Sequence, residues 1–215
     1  MHKGLHKVLG VKPLSQNTFT LTIERNGMDF IAGQCVNIGI PETGINREYS
    51  SYSGETDQHL EFLIREVEGG QVTPRLRSLK QGDHVEVDGA YGLFTLNQGK
   101  PDDKPYVFIA TGTGIAPFHC FAKSYDFLDY KIIHGIRFGD EAYGKEDYGK
   151  NYVACTSRDK TGDFTGRVTD YLKEKPQNPE SMFYLCGNRN MINDVYDILR
   201  DQGISGSNII TEVFF

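Results

Sequence analysis

Arg47 and Tyr49 stand two apart in "NREYSSYSG", residues 46–54, and in an extended strand that spacing puts both on one face. A planar multi-donor cation beside an aromatic ring suits a ligand that is anionic at one end and flat at the other. An edge strand whose Tyr and Arg pack their stems together has the same pattern. In "YVFIATGTGIAP", residues 106–117, an apolar run leads into Thr111, Gly112, Thr113 and Gly114, with Pro117 beyond. Buried strand, glycine turn and helix start make the layout of a phosphate site, where bare backbone approaches a diphosphate and helix N–H groups meet it. A plain strand-to-helix connection reads alike, and the run is not the GxGxxG fingerprint with an acidic residue about 20 positions on. Arg137 ends "IIHGIR", Ser157 and Arg158 follow "YVACT", and Arg167 opens "RVTDYL". Each Arg alone is a solvated charge. Three on one rim suit an anion, and the 2′-phosphate is the anion that separates NADP from NAD.

Positioning these residues takes two kinds of scaffold. Up to residue 95 or so the chain reads as six short β-runs, and Phe19, Leu21 and Ile23 alternate with Thr18, Thr20 and Thr22. Six such runs suggest an antiparallel β-barrel, interrupted by one helix at "TPRLRSLK" with Pro74 in its first turn. "NQGKPDDKP", residues 97–105, is rich in turn residues and reads as a linker. Beyond it, continuous apolar runs alternate with helical stretches. Met191, Val195, Ile198 and Leu199 recur at helical spacing, and Gly203 is placed as a C-cap. That alternation is the signature of an α/β doubly wound parallel sheet. The expected division is a barrel domain over 1–98 and an α/β domain over 103–215.

Bulk properties exclude more than they assign. A net charge of -6 without a basic run argues against nucleic acid. No window approaches the roughly 18 apolar residues of a membrane span, and "MHKGLHKVLGV" lacks the apolar core of a signal peptide, so a cytoplasmic location is expected. Cys35, Cys120, Cys155 and Cys186 stand far apart with no CxxC pair, which points to reduced thiols and no metal cluster. His119 and His134 read as core or surface residues rather than chemical ones. Cys186, ending an apolar strand, taken alone is a buried small hydrophobe.

Taken together, these segments resemble the ferredoxin-NADP reductase family over nearly the whole chain and in the family's order. "REYS" is similar to its flavin signature. "GGQVT" with "RLRSLKQGD" is similar to its second flavin-phosphate turn, and "GAYGLF" to the turn closing its flavin domain. "TGTGIAP" is similar to its nicotinamide-dinucleotide turn, "YLCGN" to its Cys-Gly motif, and "EVFF" to its Glu-Val-aromatic ending.

The resemblance implies FAD bound by the barrel, with FMN the alternative that "REYS" also serves, and NADP(H) bound by the α/β half. Arg47 would clamp the flavin diphosphate, Glu48 lies within the same motif, Tyr49 would lie against the isoalloxazine ring and Ser50 would bond near its N5. Gly70, Gln71, Val72 and Thr73 would meet the diphosphate, although an ordinary N-cap by Thr73 looks identical. Cys186, followed by Gly187, Asn188 and Met191, would edge the nicotinamide pocket, with Glu212 beside it. Phe214 would stack on the flavin face opposite Tyr49 with Phe215 beyond it, or the two exchange places. The ending departs from the Glu-Val-Tyr of plant-type members. As a gate over the flavin, these aromatics would weaken nicotinamide binding, so their deletion is expected to tighten it.

The implied activity is hydride transfer between nicotinamide C4 and flavin N5, coupled to one-electron exchange with ferredoxin or flavodoxin, in a monomer. Ser50, Cys186 and Glu212 are the implied catalytic residues. Arg75, Arg77 and Lys80, with Lys3 and Lys7, are candidate docking cations for an acidic carrier, or an ordinary exposed face. The competing readings are a flavin reductase, an oxygenase reductase component, and a non-catalytic electron-transfer subunit.

Overall fold

The computed structural model describes residues 2–214. Six strands carry the alternating runs: His2–Pro13 (β1), Thr18–Glu24 (β2), Cys35–Gly39 (β3), Asn46–Ser50 (β4), His59–Arg65 (β5) and His84–Tyr91 (β6). They pair antiparallel in the order β4-β3-β6-β1-β2-β5. Beyond β4 the backbone returns to the far edge of the sheet. The Tyr52 N–H donates to the Glu61 carbonyl at 2.8 Å, and the Glu61 N–H donates to Ser53 Oγ at 3.0 Å, which nearly closes the barrel. Phe19, Leu21 and Ile23 face Ile64, Phe62 and Leu60 across β2 and β5 and fill the core with Val85 and Val87. Thr18 and Thr20 are buried as well, and the helix Thr73–Ser78 (α1) packs against this strand, so β2 is covered more fully than simple alternation predicts. Pro74 sits in the first turn of α1, as its fixed φ favours.

Two units divide the chain. The first runs to Lys100 and also takes in Ala116–Tyr125, which contains the helix Ala116–Ser124 (α2); the second comprises Pro101–Ile115 and the chain from Asp126 onward. Within the first unit, α2 is tied to the segment that follows β4. His119 stacks on Tyr52 with ring centroids 3.7 Å apart, and its Nδ1–H donates to the Tyr52 carbonyl at 2.6 Å. Lys123 pairs with Asp57 at 2.6 Å, and the Tyr125 hydroxyl donates to Glu55 Oε1 at 2.7 Å.

In the second unit the continuous apolar runs become strands Tyr106–Thr111 (β7), Tyr130–Ile136 (β8), Tyr152–Thr156 (β9), Phe164–Thr165 (β10), Met182–Gly187 (β11) and Ile209–Val213 (β12). All pairs are parallel, in the order β10-β9-β8-β7-β11-β12. The short helix Lys145–Tyr148 (α3) lies between β8 and β9, Val168–Glu174 (α4) between β10 and β11, and Arg189–Asp201 (α5) between β11 and β12. Met191, Val195 and Leu199 turn one face of α5 into the core, and Gly203 follows it with φ +85°. The chain winds from β7 to β8 on one side and later crosses to β11 on the other. The carboxyl ends of β7 and β11 are therefore the topological switch point, where open α/β sheets take their ligands.

Candidate functional site

On the barrel, pairing of β3 with β4 sets Arg47 opposite Ile38 and Tyr49 opposite Val36, so the two share a face. Glu48 and Ser50 point to the other, with Ser50 opposite Cys35 and buried. Arg47 is exposed; its guanidinium donates to the neighbouring Asn46 carbonyl at 2.7 Å and has no carboxylate among the described residues. Tyr49 packs on the rim of the core, and its hydroxyl is buried with no hydrogen-bond partner among the described residues. Burial pushes that phenol far above its ordinary range, against the opposing pull of Arg47. An orphaned buried hydroxyl costs about 1–3 kcal/mol. An aromatic face, a phenol lacking a partner and a guanidinium with no carboxylate beside it on one strand fit a flat ligand with an anionic tail, and so they fit a flavin nucleotide.

Turn 67–73 departs from the expected capping. α1 begins at Thr73 with Val72 in the N-cap position and without a side-chain cap, because the Thr73 hydroxyl accepts from the Val67 N–H at 2.9 Å. Gly70 closes the same turn by donating to the Val67 carbonyl at 2.9 Å, and Gln71 stays exposed. Arg77 differs likewise from a docking cation. Its Nη1 is committed to Glu66 at 2.6 Å and to the Gln16 carbonyl at 2.8 Å, leaving Arg75 and Lys80 as the exposed cations of that segment.

On the sheet, the turn Gly112–Ile115 meets the end of β11 backbone to backbone. A Cβ on Gly114 would lie 2.4 Å from the Cys186 carbonyl oxygen, and one on Gly187 would lie 2.4 Å from Thr111 Oγ1. The Asn188 N–H donates to Thr111 Oγ1 at 3.1 Å, and the Phe214 N–H donates to the Gly187 carbonyl at 2.9 Å. The two turn glycines therefore serve different ends. Gly114 is required by strand packing, whereas Gly112 takes φ +53° with open space where a side chain would stand. An open, left-handed backbone position at the switch point is the cradle a diphosphate needs.

Cys186 is fully buried and opposite Glu212 in the β11–β12 register. Burial first, and the Glu212 charge second, hold its thiol well above the usual range, so it stays protonated and is no nucleophile. Met191 lies in the core of this unit, 8% exposed, and Pro117 is buried in the second position of α2. Phe215 lies outside the described residues.

The cations gather at the carboxyl ends of adjacent strands. Ser157 N–H donates to the Ile136 carbonyl at 3.0 Å and Arg158 N–H to the Arg137 carbonyl at 2.9 Å, which places the ends of β8 and β9 side by side. Arg167 follows β10, which pairs with β9, and its N–H donates to Asp170 at 2.9 Å. Arg137, Arg158 and Arg167 are exposed, and their guanidinium groups make no ion pair among the described residues.

His134, read from sequence as a core or surface residue, lies in the core. Its ring is fully buried between Ala110 and Ala154 of the flanking strands and bonds Gly112 O at 2.8 Å and Tyr152 Oη at 2.8 Å. Burial holds its pKa at about 4, against the opposing pull of the Gly112 carbonyl. A His inside an apolar run was the only local signal, and it does not reveal a partner 22 residues away. No group of three His, Cys, Asp or Glu is placed to hold a metal among the described residues, and no helix there is long and apolar enough to cross a membrane.

Comparison with known proteins agrees with this geometry. Residues 10–96 match the family model described as an oxidoreductase FAD-binding domain, and residues 108–197 match that of an oxidoreductase NAD-binding domain. The chain is 31% identical to the flavodoxin/ferredoxin–NADP reductase of Shigella flexneri, over 87% of this chain and 86% of that protein. It is 33% identical to the toluate 1,2-dioxygenase electron transfer component of Pseudomonas putida, covering 96% of this chain and 66% of that longer protein. Among solved structures, a ferredoxin NADP+ reductase from Neisseria gonorrhoeae with bound FAD and NADP superposes with a TM-score of 0.89 at 26% identity over the whole of both chains.

Proposed function

Because this chain belongs to the ferredoxin-NADP reductase family of FAD- and NAD-binding oxidoreductases, we propose that it exchanges electrons between NADPH and a one-electron carrier of the ferredoxin or flavodoxin type. The observation that carries the choice of NADPH is the trio Arg137, Arg158 and Arg167 at the ends of three adjacent strands, with no ion pair among the described residues. A dianionic 2′-phosphate answers three free guanidinium groups; a 2′-hydroxyl answers none.

Bound flavin supplies the conversion between two-electron and one-electron transfer. Arg47 would grip its diphosphate, and Tyr49 would lie along its ring, where the flavin would supply the Tyr49 hydroxyl with the partner it lacks among the described residues. Ser50, at the end of the same strand, would bond the ring edge, and the turn Gln71–Thr73 would offer backbone N–H groups to the diphosphate, the Gly70 N–H being taken by the Val67 carbonyl. On the sheet, the open backbone at Gly112 receives the second diphosphate. Cys186 keeps its proton and walls the nicotinamide pocket as a small neutral side chain, with Glu212 as its polar neighbour. Gly187, Asn188 and the backbone of Phe214 shape the same edge. Arg75 and Lys80, with Lys3 and Lys7, receive an acidic carrier.

The test is kcat/KM with NADPH against NADH, using the flavin-loaded protein and ferricyanide. One charge-assisted hydrogen bond is worth about 1.5–3 kcal/mol, so a preference for NADPH of about tenfold or more is expected. Equal efficiency with the two nucleotides removes the proposed role of the three arginines. A second reading, the reductase part of a ring-hydroxylating oxygenase, is favoured by the 33% identity to the toluate dioxygenase component. It expects preference for NADH and fast reduction of an oxygenase iron-sulfur centre.

A further inference from the structure

The buried imidazole of His134 does more than fill space. A core position between Ala110 and Ala154 is filled without polar cost by Leu or Phe, whereas an imidazole must find partners for both nitrogens or lose free energy on burial. Here both are satisfied, and the partners fix the tautomer. The Gly112 carbonyl can only accept, so Nε2 carries the hydrogen; Nδ1 is then the acceptor and the Tyr152 hydroxyl donates to it. A flipped ring would point carbon at the carbonyl and lose both bonds. Because the pKa lies at about 4, this neutral arrangement persists through ordinary working pH.

The consequence falls on the turn. In a trans peptide the carbonyl and the following N–H point in opposite directions. With the Gly112 carbonyl held inward against the buried ring, the Thr113 N–H is turned the other way. We propose that His134 is a positioning residue of the pyridine-nucleotide site: its Nε2–H, oriented by Tyr152, holds the Gly112–Thr113 peptide with the N–H toward the nucleotide diphosphate. This rests on reading the turn 112–115 as the nucleotide turn.

The role predicts a selective loss. The diphosphate contact weakens when the peptide is released, while the 2′-phosphate contact at Arg137, Arg158 and Arg167 does not depend on that peptide. Binding of NADP⁺ and of 2′-AMP, which lacks the diphosphate, is measured on the flavin-loaded full chain for the wild type, H134F, H134Q and Y152F. Loss of one oriented hydrogen bond raises the NADP⁺ Kd of H134F about tenfold and leaves 2′-AMP within about twofold. H134Q, whose amide N–H can replace Nε2–H, stays within about threefold of wild type for both ligands, and Y152F falls between the two. Wild-type NADP⁺ affinity in H134F overturns the proposal, as does an equal loss of 2′-AMP, which would make His134 a packing residue for the whole unit. Should H134F fail to fold, Y152F decides: unchanged NADP⁺ affinity there overturns the proposal. Failure of the wild type itself to bind NADP⁺ overturns the functional reading and this inference together, a result separate from any variant's behaviour.

Discussion

Acidification from pH 7 to pH 5 is expected to weaken the fold specifically through His134. Its folded-state pKa is about 4, depressed by complete burial, while the unfolded chain titrates near 6.5. Below 6.5 the unfolded state therefore binds a proton that the folded state refuses. Stability is full above pH 6.5, falls as pH drops toward 4, and loses nothing further from this group below that. The whole gap, at about 1.4 kcal/mol per pH unit, is about 3 kcal/mol, of which about 2 kcal/mol is lost by pH 5. His6, also depressed by burial, adds a loss of the same sign. Comparison with H134Q cancels this. Urea unfolding of wild type and H134Q at pH 7 and pH 5, followed by a probe in the second unit, should show the wild type losing about 2 kcal/mol more than the variant. Equal losses in the two proteins would mean that His134 titrates normally, and the buried, tautomer-fixed account of it would fail.

Other perturbations probe the remaining geometry. Gly114→Ala places a methyl 2.4 Å from a backbone oxygen and is expected to destabilise by about 3 kcal/mol, with Gly112→Ala costing only about 1–2 kcal/mol for its left-handed φ. Urea unfolding that ranks them the other way would contradict the packing of the turn against Cys186. Tyr49→Phe in flavin-free protein removes an unpartnered buried hydroxyl and is expected to raise stability by about 1 kcal/mol; a comparable loss would reveal a partner for that oxygen. Arg75→Glu should slow reduction of ferredoxin about tenfold at low salt while leaving ferricyanide reduction unchanged. Arg77→Ala should instead lower thermal stability by breaking its bond to Glu66, and an acceptor-specific effect without destabilisation would return Arg77 to the docking surface.

Much of the scaffold was legible because it follows local period. The alternation in β2, the apolar run of β7 leading into its glycine turn, and the face of α5 closed by Gly203 are set by neighbours a few residues away. Arg47 and Tyr49 share a face for the same reason. What stayed hidden depends on register between distant strands. The Cys186–Glu212 adjacency, which spans 26 positions and exists because β11 and β12 pair in one frame, was expected only from the family resemblance and not from local pattern. The reason for Gly114 lies in a carbonyl 72 residues further on, and the Thr73 hydroxyl was drawn from the helix end to Val67 by the shape of its turn. His134 was opaque for a physical reason too: a satisfied buried imidazole and an idle one have the same neighbours in sequence.

The packing of α2 with the barrel unit bears on how the gene can be cut. Phe118 and Phe121 are fully buried there, their rings 6.0 and 6.3 Å from that of Phe94, and Gly33 leaves room for Phe121. A fragment expressed to residue 100 would leave Phe94 without these neighbours, and one starting at residue 101 would carry Phe118 and Phe121 without Phe94. Both pieces would be prone to aggregate when made alone, and supplying them together from two plasmids is the arrangement under which soluble material would be recovered.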